Sequence, residues 1–135
     1  MILLLSLSFR NTPQRIREYF AFENEDKERL LKSLCNDELI DEAAILTTCN
    51  RTEIYISTGN EKHTGSTINL ILEKCEEIIG TDIENLRDYL IFYTGKNAVS
   101  HLYKVSAGLD SMLIGEDQIL GQVKDAIEFA RECDT

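Results

Sequence analysis

Between Thr47 and Tyr55 the chain reads T-T-C-N-R-T-E-I-Y, which sets the thiol of Cys49 close to the permanent charge of Arg51. A nearby cation favours thiolate over thiol, and the thiolate is the nucleophilic form of cysteine. The run Ala43, Ala44, Ile45, Leu46 predicts a buried strand ending just before this segment, and Ile54 and Ile56, alternating with Glu53 and Tyr55, predict another just after it. Cys49 is therefore expected in the connection between two strands. Lone cysteines also serve as small apolar core residues, and this segment alone leaves both readings open.

Further candidates lie in the C-terminal half. A helix predicted from about Lys96 places Ala98, Leu102, Val105 and Leu109 on one face, with His101 half-buried at its margin. A histidine there is either a hydrogen-bonded structural residue or, with an ordinary pKa of about 6.5, an acid or base near neutrality. The last helix, predicted from about Gly115 to Glu132, carries Ile119, Leu120, Val123, Ala126, Ile127 and Ala130 on one face, and Glu116 projects to the same side. The helix dipole favours a carboxylate in the first turn, but an inward one needs a polar partner or a ligand. Turned outward, Glu116 is an ordinary surface residue.

The elements that must position these groups follow from periodicity. Ile2 to Leu5 reads as a first strand, and Thr12 before Pro13 starts a short helix to about Phe20. Asn24 is expected to cap a second helix containing Leu30, Leu31 and Leu34; a loop spans Ser57 to Ser66. Ile71, Leu72, Cys75, Ile78 and Ile79 recur at helical spacing before Gly80, a left-handed cap, so Cys75 belongs to the core. Thr81 and Glu84 form a possible capping box, and Leu90 to Tyr93 reads as a strand. The order β-α-β-β-α-β with an added C-terminal helix predicts an α+β fold, a ferredoxin-like split β-α-β sheet with helices on one face, in a single domain spanning residues 1–135.

Composition excludes several function classes. The net charge of −10, from 24 acidic and 14 basic side chains, repels a phosphate backbone, so contact with RNA must be local or supported elsewhere. Cys35, Cys49, Cys75 and Cys133 form no C-x-x-C pair, and His63 and His101 complete no zinc-like spacing, so no metal is expected. No apolar run reaches the roughly 20 residues of a membrane helix, and the apolar start lacks the basic region and cleavage site of a signal peptide. A free reactive thiol points to the cytoplasm. No G-x-G-x-x-G fingerprint occurs, so no dinucleotide-binding domain is read here.

T-C-N-R-T-E-I-Y together with A-V-S-H-L-Y-K-V-S-A-G-L-D-S-M-L-I-G-E-D-Q-I-L-G-Q-V-K-D-A, from Ala98 to Ala126, closely resembles the N-terminal catalytic domain of glutamyl-tRNA reductase, over essentially the whole chain. The resemblance implies NADPH-dependent reduction of glutamyl-tRNA to glutamate-1-semialdehyde, the first committed step of five-carbon tetrapyrrole synthesis. It implies Cys49 as nucleophile and thioester carrier, and Thr48, Asn50 and Arg51 around the glutamyl group, with Arg51 clamping the side-chain carboxylate. It implies His101 as a residue important for activity, and Ser111, Glu116, Asp117, Gln118 and Gln122 as further substrate-binding positions. It also implies that NADPH binds in a separate domain and that a helical domain makes the full enzyme a homodimer, both absent from this chain, which alone is expected to be a monomer. A downstream aminomutase is a further partner of such an enzyme.

One local departure stands out. The family's G-x-N-H-K-T-A-P-like run reads S-L-S-F-R-N-T-P from Ser6 to Pro13, with Phe9 where histidine is common, which puts a polar role for that position in doubt. Two rival readings remain at this stage. One is a ferredoxin-like binding or regulatory module in which Cys49 is only a loop thiol; the other is a different cysteine-dependent acyltransferase or hydrolase.

Overall fold

A computed structural model describes residues 1–10, 12–48, 50–59, 63–107 and 118–135, the side chains of 118 and 119 excepted. Four strands, β1 (Ile2–Ser8), β2 (Glu42–Thr47), β3 (Arg51–Ser57) and β4 (Ile91–Thr94), form one sheet in the order β2-β3-β1-β4. Every neighbouring pair is antiparallel. This is the expected split β-α-β arrangement. Each crossover skips one strand, and the gap is filled by a strand running the opposite way.

The helices are α1 (Gln14–Arg17), α2 (Asn24–Cys35), α3 (Thr64–Ile79), α4 (Lys96–Ser106) and α5 (Gln118–Glu132). Short 3-10 turns lie at Glu18–Phe20 and Leu86–Tyr89. α3 ends where the sequence says it should: Gly80 takes φ +84°, and its N–H closes on the carbonyl of Glu76. Only a residue without Cβ adopts that conformation freely.

Side-chain alternation divides the sheet into two unlike faces. Leu3, Leu5 and Leu7 of β1, Ile54 and Ile56 of β3, and Ala43 and Ile45 of β2 point one way, into a core with Leu30, Leu31 and Leu34 of α2 and Ile71 and Cys75 of α3. The opposite face carries Ser6, Ser8, Arg51, Glu53 and Tyr55, and is covered by α4 and α5 around a smaller apolar cluster of Leu46, Val105 and Val123. α5 also reaches the first core through Ala130 and Cys133 near its end.

Several local expectations are corrected. Asn24 is the first helical residue of α2, not its cap; that position is Glu23, which makes no side-chain capping bond. Thr81 and Glu84 form no capping box: the 3-10 turn begins at Leu86, after Asn85 in a left-handed conformation. Along α5 the apolar stripe is narrower than its sequence suggests. Val123 and Ala130 are buried, but Leu120 is 60% exposed, and Ile127 is 43% exposed where it lines an open groove with Tyr55, Ala98 and Leu102. Leu109 and the segment 115–117, assigned to helices from periodicity, lie outside the described residues.

Leu5→Ala should cost about 2–5 kcal/mol of unfolding free energy, as a fully buried side chain is truncated. Leu120→Ala should stay within about 0.5 kcal/mol. Urea melts of the two variants check this partition.

Candidate functional site

Strand β2 closes at Thr47 and β3 opens at Arg51, on either side of Cys49, which lies outside the described residues. The connection is pinned from three sides. The Thr48 N–H donates to the Arg51 carbonyl at 2.8 Å, and the Asn50 N–H donates to Thr48 Oγ1 at 3.2 Å. The Phe9 N–H, at the end of β1, donates to the Asn50 carbonyl at 2.9 Å. Position 9 therefore acts here through its backbone, which any non-proline residue supplies; its ring lies under the Arg10 guanidinium at 5.1 Å.

Arg51, Glu53 and Tyr55 share the polar face because they alternate along β3. The register sets Ser8 opposite Arg51 and Ser6 opposite Glu53. Glu53 has no exposed surface, and a buried carboxylate needs several donors to remain ionised. Its Oε2 accepts from Ser6 Oγ at 2.6 Å and lies 2.5 Å from His101 Nε2 and 3.5 Å from Arg51 Nη1. Its Oε1 accepts from the Tyr55 hydroxyl at 2.8 Å. Arg51 is 2% exposed and His101 6% exposed, so His101 is buried rather than marginal. The imidazole also stacks on Tyr93 of β4, with ring centres 4.4 Å apart and planes 19° apart.

The electrostatics follow from this packing. Burial alone would raise the Glu53 pKa, but the hydrogen bonds from His101 and Ser6 and the charge of Arg51 outweigh it and hold the carboxyl below its ordinary value. Burial and the Glu53 charge push the Tyr55 phenol upward, so it remains a donor. Burial lifts the Cys75 thiol to about 12 and raises Cys35 and Cys133 as well, with nearby carboxylates adding to each. Those three thiols are poor nucleophiles at neutral pH.

Of the residues singled out from sequence, the structure brings Arg51 and His101 together through Glu53 and places Thr48 and Asn50 in the adjoining turn. Gln122 is exposed and lines a separate cleft of about 290 Å³, with Thr47, Asn24, Lys27 and Asp125. Gln118 opens α5, while Ser111, Glu116 and Asp117 lie outside the described residues, as does Cys49. Glu53, Ser6, Tyr55 and Tyr93 were missed. The available signal was two serines spaced by one in an otherwise apolar strand, matched by Arg51 and Glu53 at the same spacing in its neighbour.

Among the described residues no group of three or more His, Cys, Asp or Glu could hold a metal ion, and no helix is long and apolar enough to cross a membrane. Nor do these residues fit a nicotinamide dinucleotide. An antiparallel sheet offers no crevice between parallel strand ends, and no glycine-rich turn links a strand to a helix N-terminus.

Comparison with known proteins places this geometry in context. Residues 5–135 match the family described as glutamyl-tRNAGlu reductase, N-terminal domain. The glutamyl-tRNA reductase of Listeria welshimeri is 41% identical over 99% of this chain, and that of Priestia megaterium 40% identical over the same share. The chain spans about 30% of the length of these relatives. The solved glutamyl-tRNA reductase of Methanopyrus kandleri superposes with a TM-score of 0.74 at 25% identity, over 99% of this chain and 29% of that one.

Because the Glu53 pKa is lowered in the folded state, its contribution to stability is present above the ordinary value of 4.5 and is lost as pH falls through the lower folded value. Glu53→Gln removes the buried negative charge on which Arg51, His101, Ser6 and Tyr55 converge and should cost about 3–5 kcal/mol near neutrality. The gap between wild type and variant should narrow as pH drops below 4.5, measured by denaturant melts across that range.

Proposed function

Since the chain belongs to the glutamyl-tRNA reductase N-terminal domain family, we propose that it is the acyl-accepting domain of such an enzyme, with Cys49 as the nucleophile. One observation carries the reading. Arg51 and His101, from different elements, meet on a single buried carboxylate beside the turn that contains position 49.

The Cys49 thiolate adds to the ester carbonyl carbon of glutamyl-tRNA, and the carbon–oxygen bond to the terminal ribose breaks. The ribose oxygen takes up one proton, balancing the one lost by the thiol, and a glutamyl thioester and free tRNA remain. The ester is already activated, and the thioester carbonyl accepts hydride more readily than an ester's. His101 handles the proton on the ribose oxygen, work suited to an imidazole. Arg51 holds the substrate's side-chain carboxylate; it is shielded from bulk water, the condition under which such a pairing is strongest. Thr48 and Asn50 contact the glutamyl group from the turn. Ser111, Glu116, Asp117, Gln118 and Gln122 complete the binding positions, with Gln122 approaching from the cleft behind Thr47.

Reduction of the thioester with NADPH to glutamate-1-semialdehyde belongs to the whole enzyme, and no step of it is assigned to this chain's residues. NADPH binding and homodimerisation lie in the remaining length of such enzymes, and an aminomutase takes the product. Cys35, Cys75 and Cys133 are unpaired, which supports a reducing compartment such as the cytoplasm.

Incubation with glutamyl-tRNA, acid quenching and peptide mass spectrometry should reveal one glutamyl group on Cys49, absent from Cys49→Ser. In a separate labelling series at pH 7, iodoacetamide should modify Cys49 well ahead of Cys35, Cys75 and Cys133. A glutamyl adduct on any of those three, or none at all, defeats the proposal.

A further inference from the structure

We propose that Glu53 is the positioning residue of this site: by accepting a hydrogen bond from His101 Nε2 it fixes the imidazole tautomer and leaves Nδ1 as the nitrogen that exchanges protons with the reacting groups. The choice of tautomer rests on the geometry; its use in acyl transfer rests on the reading of Cys49 above.

The groups gathered on Glu53 settle which partner donates. Ser6 Oγ and the Tyr55 hydroxyl both donate to it, and the Arg51 guanidinium, which carries only donors, lies 3.5 Å from Oε2. A protonated Glu53 would have to donate to Nε2 while sitting 3.5 Å from a buried, permanently charged guanidinium, which favours the ionised carboxylate over the acid. An ionised Glu53 satisfies the whole arrangement. Nε2 then carries the hydrogen, and a neutral His101 presents a lone pair at Nδ1. The ring itself meets Glu53 of β3 and Tyr93 of β4, which stacks on it, while Ser6 of β1 and Arg51 and Tyr55 of β3 surround the carboxylate. Stacking and hydrogen bond together prevent the ring from turning over.

This is the arrangement in which a third group orients the base of a nucleophile–base pair. During acyl transfer Nδ1 takes the proton given up by the Cys49 thiol and returns it to the ribose oxygen as the carbon–oxygen bond breaks. The Nε2 hydrogen stays on Glu53 throughout, and Glu53 itself gains no proton. The imidazolium formed between the two steps is paired with the carboxylate that holds it.

The test uses the 135-residue chain, whose only histidines are His63 and His101. Long-range proton–nitrogen NMR, recorded about two pH units above the ordinary histidine pKa of about 6.5, reads each tautomer. The exposed His63 should show the mixture typical of solution, and His101 the Nε2–H form alone. Glu53→Gln should lower the turnover rate of thioester formation on the order of 10²-fold with little change in KM, and its His101 spectrum should drift towards that of His63. Glu53→Asp should keep the tautomer and recover part of the rate. If Glu53→Gln does not fold, the wild-type spectrum and Glu53→Asp still decide. An Nδ1–H or mixed His101 in the wild type overturns the proposal, as does a folded Glu53→Gln with full rate. Should wild type form no Cys49 adduct, the acyl-transfer reading fails while the spectrum still judges the tautomer.

Discussion

A carboxylate with no exposed surface is the constraint around which this molecule is organised. Moving such a group from water into protein costs several kcal/mol even after relaxation, and the cost is offset only when donors reach both oxygens. Glu53 receives them from three directions: Ser6 on the neighbouring strand, Arg51 and Tyr55 on its own, and His101 on a helix far along the chain. Each donor demands a particular placement of its element. A one-residue slip between β1 and β3 would move Ser6 out of reach and turn Glu53 towards the hydrocarbon core. A helix α4 displaced by one turn would remove the imidazole.

The two faces of the sheet divide the labour that results. One face is packed by the leucines of α2 and by Ile71 and Cys75 of α3, and supplies the hydrophobic stabilisation that a network of buried polar groups does not. The other carries the polar network under α4 and α5, with only a small apolar cluster beside it. A rigid sheet lets short hydrogen bonds be held without being the main source of stability. It also explains the short, pinned connection after Thr47, whose backbone is tied to β1 through Phe9 and closed on itself through Thr48. Groups meant to meet one substrate must be fixed within fractions of an ångström, and a sheet end tied in this way achieves that better than a long loop.

Much of this was legible in the order of residues. Strand alternation in β1 and β3, the helical period of α3 with its terminal glycine, and the β-α-β-β-α-β order are local patterns, and local patterns need no partner to be recognised. The thiol-and-guanidinium motif was equally visible, since Cys49 and Arg51 are neighbours in sequence. Even the burial of Cys75 followed from its place on a stripe. The narrower stripe of α5 was not legible, because Leu120 and Ile127 are apolar whichever way they face, and only docking against β2 decides which side is covered.

The part of the site carried by Glu53 was beyond the sequence for a related reason. In the chain it reads as the polar half of an alternating strand, and alternation alone does not say whether water or protein covers that half. The answer depends on α4, whose His101 lies 48 residues further on, and on a register that pairs Ser6 with Glu53. Sequence by itself determined the elements, their order and the family, since these arise from short-range periodicity and contiguous motifs. Tertiary structure alone decided that a glutamate, a serine, two tyrosines and a histidine form one network, because hydrogen bonds between distant residues exist only once the chain has brought their donors and acceptors into contact.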